Sequence, residues 1–204
     1  MEMTNTGVGL SVDSALIARK DSAQKLGLFD VFTVNCYDSE GNLKWTDEVH
    51  NAITNEGIQY AIDALFYGGT QYTENTDWYV GIVDASPTDP TYTDTGASLP
   101  SIMGVTEFTE YSETNRQLLN LDVRGSASGG TLSVNNSGAV ASFTITSGGS
   151  ASVGGCFICA GGTASTIGGT ATILYGAGAF SGGNKPVTAN DTLNVTVTVS
   201  ATSA

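Results

Sequence analysis

The stretch Thr192–Ser200, TLNVTVTVS, alternates Leu193, Val195, Val197 and Val199 with Thr, Asn and Ser over its whole length. A period of two puts every aliphatic side chain on one face of an extended strand and every polar one on the other, so this segment is a β-strand lying on a core. Upstream, the chain from Gly125 is rich in Gly, Ser, Thr and Ala, with strand candidates at 132–134, 140–146, 156–160 and 171–175. Between them lie turn formers: Asn135-Asn136-Ser137-Gly138, Gly148-Gly149, Gly161-Gly162, Gly168-Gly169 and Gly182-Gly183-Asn184. Short strands at close spacing, each bounded by glycine or Asx residues, predict an antiparallel β-sandwich or jelly-roll-like domain.

The N-terminal half adds to the same sheets. LFDVFTVNCY (28–37) and LKWTDEV (43–49) flank the turn Asp38-Ser39-Glu40-Gly41-Asn42 and form a hairpin, in which Trp45 covers the helix or the core. WYVGIVD (78–84) is an unbroken apolar run of strand length, the pattern of a buried central strand. VTEFTEY (105–111) and QLLNLDVR (117–124) alternate and read as half-exposed strands. The segment 85–102, with three of the chain's four prolines, reads as a long ordered surface loop.

One helix interrupts the β pattern. In NAITNEGIQYAIDALFYGG (51–69), Ile58, Ala61, Ile62, Leu65 and Phe66 share one face of a 3.6-residue period, so that face is expected to be buried. Thr54 is placed as N-cap, Glu56 lies in the first turn, Ile53 and Ile58 occupy staple positions, and Gly68-Gly69 end the element, giving a helix over about 54–67. Residues 1–26 hold Arg19, Lys20 and Lys25 and only a weak helical pattern near Ala15–Leu26. They read as an N-terminal arm preceding a β-sandwich domain over 27–204, either a poorly structured lead-in or a segment that orders against a neighbouring subunit.

Composition limits function. With 7 Lys+Arg against 20 Asp+Glu, a net charge of -13 and a pI near 4.1, the surface repels phosphate backbones and anionic lipid, which speaks against nucleic-acid and membrane partners. The N-terminus lacks a signal-peptide pattern and no apolar run is long enough to span a bilayer, so assembly in a cytoplasm is expected. Cys156 and Cys159 form a C-x-x-C, but in an extended strand they point to opposite faces and cannot meet; they read as buried small side chains, with no zinc or redox role, and with Cys36 the three cysteines are too few and too odd in number for a disulfide framework. His50 is the single imidazole, and no nucleophile motif accompanies it. Asp84, Asp89 and Asp94, with Glu74 and Asp77 nearby, read as solvated carboxylates, with a Ca²⁺ site in the 84–95 loop as the alternative. No glycine pair continues into a P-loop. The expected protein has no catalytic residue and no cofactor.

DSEGNLKW (38–45), NAITNEGIQYAIDALF (51–66), WYVGIVD (78–84), TEFTEYSETNR (106–116) and ANDTLNVTVTVSA (189–201), in that order, resemble the small capsid-associated structural proteins of tailed bacteriophages. The sequence departs at Asn190, where the family pattern leads one to expect glycine, and in 97–104, where related loops carry His and Trp. The resemblance implies a non-enzymatic virion protein of the capsid surface, a decoration or cement protein that binds and stabilises the major capsid protein and self-associates as a dimer or trimer. The alternative is a tail-associated adhesin or fibre module that binds host surface glycan. Arg19, Lys20 and Lys25 of the arm and Tyr72, Tyr92 and Tyr111 are the expected interface residues.

Overall fold

A computed structural model describes residues 26–67, 77–147 and 151–203. The fold is mainly β, two antiparallel sheets packed face to face. The first is built on β1 (Leu26–Tyr37) and β13 (Thr192–Ser203), which pair from Leu26↔Ser203 to Tyr37↔Thr192. β2 (Leu43–His50) flanks β1, and β8 (Thr131–Asn135) and β9 (Ala141–Thr144) pair with opposite ends of β13. The second sheet runs β3 (Ala52–Ile53), β11 (Ile173–Ala179), β10 (Ala151–Ala160), β4 (Trp78–Asp84), β7 (Gln117–Leu118). β12 (Lys185–Val187) pairs with the first residues of β10.

Alternation decides what fills the space between the sheets. Phe32, Val34 and Cys36 of β1 and Leu193, Val195 and Val197 of β13 point inward and meet Val80, Ile82, Cys156 and Ile158 of the second sheet. The second sheet is buried on its other face too. Val83, Phe157, Cys159, Leu174 and Ala177 form a separate cluster under Leu99, Ile102 and Met103 of the long loop and Ala164 and Ala171 of the segment between β10 and β11. A sheet covered on both faces needs apolar residues at successive positions, which is why β4 and β10 do not alternate. Cys156 lies in one cluster and Cys159 in the other, as the strand geometry requires. Burial raises all three thiols, Cys36 and Cys159 to about 12.

The loop predicted for 85–102 is more than surface. It contains a 3-10 turn at Gly96–Ser98 and a cis Leu99–Pro100 bond, then enters the ribbon of β5 (Ser101–Ile102) and β6 (Val105–Thr106), with Leu99 and Ile102 fully buried. The expected strand 105–111 is confined to β6. Beyond it the chain crosses from one sheet to the other: Val83 bridges to Glu107, the Phe108 amide donates to the Ile82 carbonyl (2.9 Å), and Tyr111 bridges to Ile145. The expected strand 117–124 shrinks to β7, because after Leu119 the chain leaves β4 for the Asn135 carbonyl and Val123 is exposed. Trp45 covers the core edge and not the helix, edge-on to Phe180 at 5.9 Å, with its indole N–H on the Pro186 carbonyl (2.9 Å). Asn190 has φ 68°, a left-handed conformation that glycine adopts at least cost and asparagine tolerates, which accounts for the glycine expected there.

The helix forms where predicted, as α1 (Asn55–Ile62) continued by a π-helical turn at Asp63–Tyr67, with Thr54 as N-cap. Its expected burial is overturned. Ile58 and Ile62 are exposed, Leu65 is 60 % and Phe66 75 % accessible. The face turned to the sheet carries Thr54, Gly57, Tyr60 and Asp63 instead: Thr54, Gly57 and Asp63 are buried, and Tyr60 stacks edge-on against Trp78 at 5.1 Å. Polar anchors set this roll. The Thr54 amide donates to the Tyr175 carbonyl (3.0 Å), its hydroxyl to the Leu174 carbonyl, and Glu56 Oε2 accepts from the Leu174 and Gly96 amides, both at 2.8 Å. Gly57 permits the approach, since a Cβ there would lie 2.4 Å from the Tyr175 carbonyl oxygen.

Candidate functional site

Rolling the apolar face of α1 away from the sheet opens a groove between the helix and the start of β1. Leu28, Phe29, Ile53, Ile58, Ile62 and Leu65 line its walls, and it encloses about 450 Å³. Phe29 is 57 % exposed. Aliphatic and aromatic side chains of this number facing water in one place mark a surface built to be covered.

The floor is polar and incompletely paired. Asp30 is 3 % exposed and points to the same face of β1 as Phe32. Its Oδ2 accepts from the Asn51 side-chain amide, while Asp30 Oδ1 and Asn51 Oδ1, both buried, have no hydrogen-bond partner. Burial pushes the Asp30 carboxyl up to about 7, against the lowering effect of the Asn51 hydrogen bond. Two unmet acceptors side by side call for a donor. His50 stands at the rim, its Nε2 3.5 Å from Glu48 Oε1, with an exposed ring.

Elsewhere several carboxylates fasten loops, whereas Asp77 and Asp89 are exposed, as expected of solvated carboxylates. Asp84 accepts from the Ala85 amide (2.8 Å) and the Thr106 hydroxyl (3.3 Å), and Asp94 from the Thr91 amide (2.8 Å). Among the described residues no group of His, Cys, Asp and Glu is placed to hold a metal ion, and Glu74 lies outside them. Asp47 accepts from Ser181, Gly182 and Lys185 Nζ (2.8 Å). Asp191 holds Lys44 and the Thr188 amide, and Glu113 the Thr144 amide. The densest of these networks was not visible in the sequence. Arg116, fully buried, makes two 2.7 Å bonds to Glu107, donates to the carbonyls of Ala164 (2.9 Å) and Gly169 (2.7 Å), and lies over the Phe157 ring at 5.2 Å. Burial works against the charged guanidinium, and Glu107 outweighs it and raises its pKa. The site fixes the 161–172 segment over the second sheet; Gly168 donates to Glu107 as well (2.8 Å).

Of the interface residues expected from sequence, Arg19, Lys20, Lys25 and Tyr72 lie outside the described residues. Tyr92 is 66 % exposed, next to the start of α1, where its carbonyl accepts from the Asn55 amide (2.9 Å). Tyr111 is corrected: it is 6 % exposed and stacks edge-on against Phe143 at 5.0 Å, because the crossing of 107–116 between the sheets turns Phe108 and Tyr111 into the core. Phe29, Phe66 and Tyr67, all exposed, join Tyr92 as candidates; the apolar stripe of the helix named Phe66, but assigned it inward. No family model, curated protein or solved structure matches this chain.

Proposed function

We propose that the protein is a non-enzymatic structural component of a tailed-phage virion, a decoration protein that binds the outer face of the major capsid shell and braces it. The observation that carries this reading is the kind of side chain placed outward around α1: Phe66, Tyr67 and Tyr92 are all exposed by more than half, while Glu56 and Glu107 are bound to backbone amides and Glu107 also to Arg116. Exposed aromatics on a rigid support are the means by which proteins bind other proteins. The order of sequence pieces, which resembles that of phage capsid-associated proteins, supports the choice of partner. Binding energy of this kind stabilises the assembled shell by mass action, and many copies make modest single contacts collectively strong.

The test is co-sedimentation of the purified protein with phage heads that lack it, in parallel with host cells. Saturable binding to heads and none to cells is the expected result. Binding to cells alone overturns it in favour of a tail-borne adhesin, and binding to neither overturns both.

A further inference from the structure

We infer that the groove between β1 and α1 is the seat of residues 14–25 of the same chain, with Leu16 and Ile17 packed against Phe29, Ile58 and Ile62 and a basic side chain facing Asp30. This does not rest on the virion reading. It is carried by three observations that meet at one place.

The first is position. β1 begins at Leu26, two residues before Leu28, which already lines the groove, so the first described residue stands at the groove's edge. Twelve residues reach about 18 Å as a helix and about 40 Å extended, enough either way to run the length of α1. The second is chemistry. The walls are apolar, but the floor holds two unpaired acceptors, Asn51 Oδ1 and the Oδ1 of the almost wholly buried Asp30 carboxyl. A purely apolar occupant leaves both unmet; Arg and Lys carry donors only, and their stems lie along apolar surface. The segment SALIARKDSAQK (14–25) offers that combination, aliphatic Ala15, Leu16 and Ile17 followed by Arg19 and Lys20. The third is charge. Of the chain's 7 Lys+Arg, Arg19, Lys20 and Lys25 lie before β1; Lys44, Arg116 and Lys185 are committed to Asp191, Glu107 and Asp47. Of the Lys and Arg side chains, the one that can face Asp30 comes from the N-terminal segment or from Arg124, His50 at the rim being turned to Glu48. Arg124 lies beside exposed Val123, in the stretch that has left β4 for β8, away from the groove lining.

Limited trypsin digestion of the full chain tests this, because Arg19 and Lys20 are themselves cleavage sites. Seating predicts cleavage there at least about 100-fold slower in the native protein than in urea, independent of protein concentration. The variant Ile62→Asp, at an exposed helix position, is expected to speed that cleavage at least about tenfold and to lower the melting temperature only by the few degrees that the lost seating accounts for. Native cleavage as fast as in urea overturns the inference. So does protection that Ile62→Asp leaves intact, which places the segment elsewhere. Protection that grows with concentration, with a dimer in sedimentation, overturns the same-chain seat and assigns the groove to the segment of a second copy.

Discussion

At the level of single residues, this protein is held by ion pairs and carboxylate caps that the sequence presents as ordinary surface charge. Arg116 and Glu107 are both fully buried, and each also serves backbone groups of the 161–172 segment. Arg116→Met leaves a desolvated carboxylate and is expected to cost about 3–5 kcal/mol in urea unfolding. Adding Glu107→Leu removes that carboxylate, but the Ala164 and Gly169 carbonyls and the Gly168 amide stay unpaired, so the double variant recovers only part of the loss. Asp47 gives a pH signature. Its burial raises the pKa, yet the bonds from Lys185, Ser181 and Gly182 outweigh this and hold it below its ordinary 3.8. A carboxyl depressed in the folded state contributes stability that is complete above its unfolded value and is lost as pH falls through the folded one. Asp47→Asn is therefore expected to lower the urea midpoint at pH 7 and to flatten its decline between about pH 5 and about pH 2. A parallel shift of the whole curve would show that the charge of Asp47 is not what matters.

At the level of elements, the approach of α1 to β11 is set by one atom's room. In Gly57→Ala the new Cβ meets the Tyr175 carbonyl oxygen, so the gain of about 1 kcal/mol in helix propensity is overtaken by the roughly 1–3 kcal/mol of overpacking. The expected outcome is a lower melting temperature together with faster hydrogen exchange across 55–62; faster exchange without a lower melting temperature would mean that α1 is not part of the cooperative fold. The same helix shows how far sequence can be read. Its existence, cap and length follow from spacing within residues 51–69. Its roll does not, because Glu56 finds the Leu174 amide 118 positions away and Thr54 the Leu174 carbonyl 120 away. β13 was legible from Thr192 to Ser200, three residues short of its end, since a strict period of two has one structural meaning, and β1, β2 and β4 follow within two residues. The segments 105–111 and 117–124 alternate too, but they serve as straps between sheets, and there the face a side chain takes is decided by which sheet the chain is crossing, as Tyr111 shows. Of the candidate surface, Tyr92 was legible as exposed, whereas the groove was not, since it exists only because the helix turned its apolar stripe away from the core.

At the level of the whole molecule, the charge and the exposed aromatics make opposite demands on a partner. A net charge of -13 repels an acidic surface at long range and favours monodispersity, while Phe66, Tyr67 and Tyr92 offer short-range burial. If the shell is bound through these aromatics, affinity comes from area removed from water and is only weakly sensitive to salt; if through the carboxylates, it falls as salt screens them. Phe66→Ser and Tyr92→Ser remove apolar area at positions that support no core contact, so the melting temperature should stay unchanged while head binding weakens at least about tenfold for each, or roughly 1.4 kcal/mol. Between about 50 mM and about 500 mM NaCl, over which the Debye length shrinks from about 14 Å to about 4 Å, wild-type binding should change less than about threefold. Salt-labile binding that both serine variants retain would move the contact from the aromatics of α1 to the acidic loops, and with it the face of the sandwich that meets the shell.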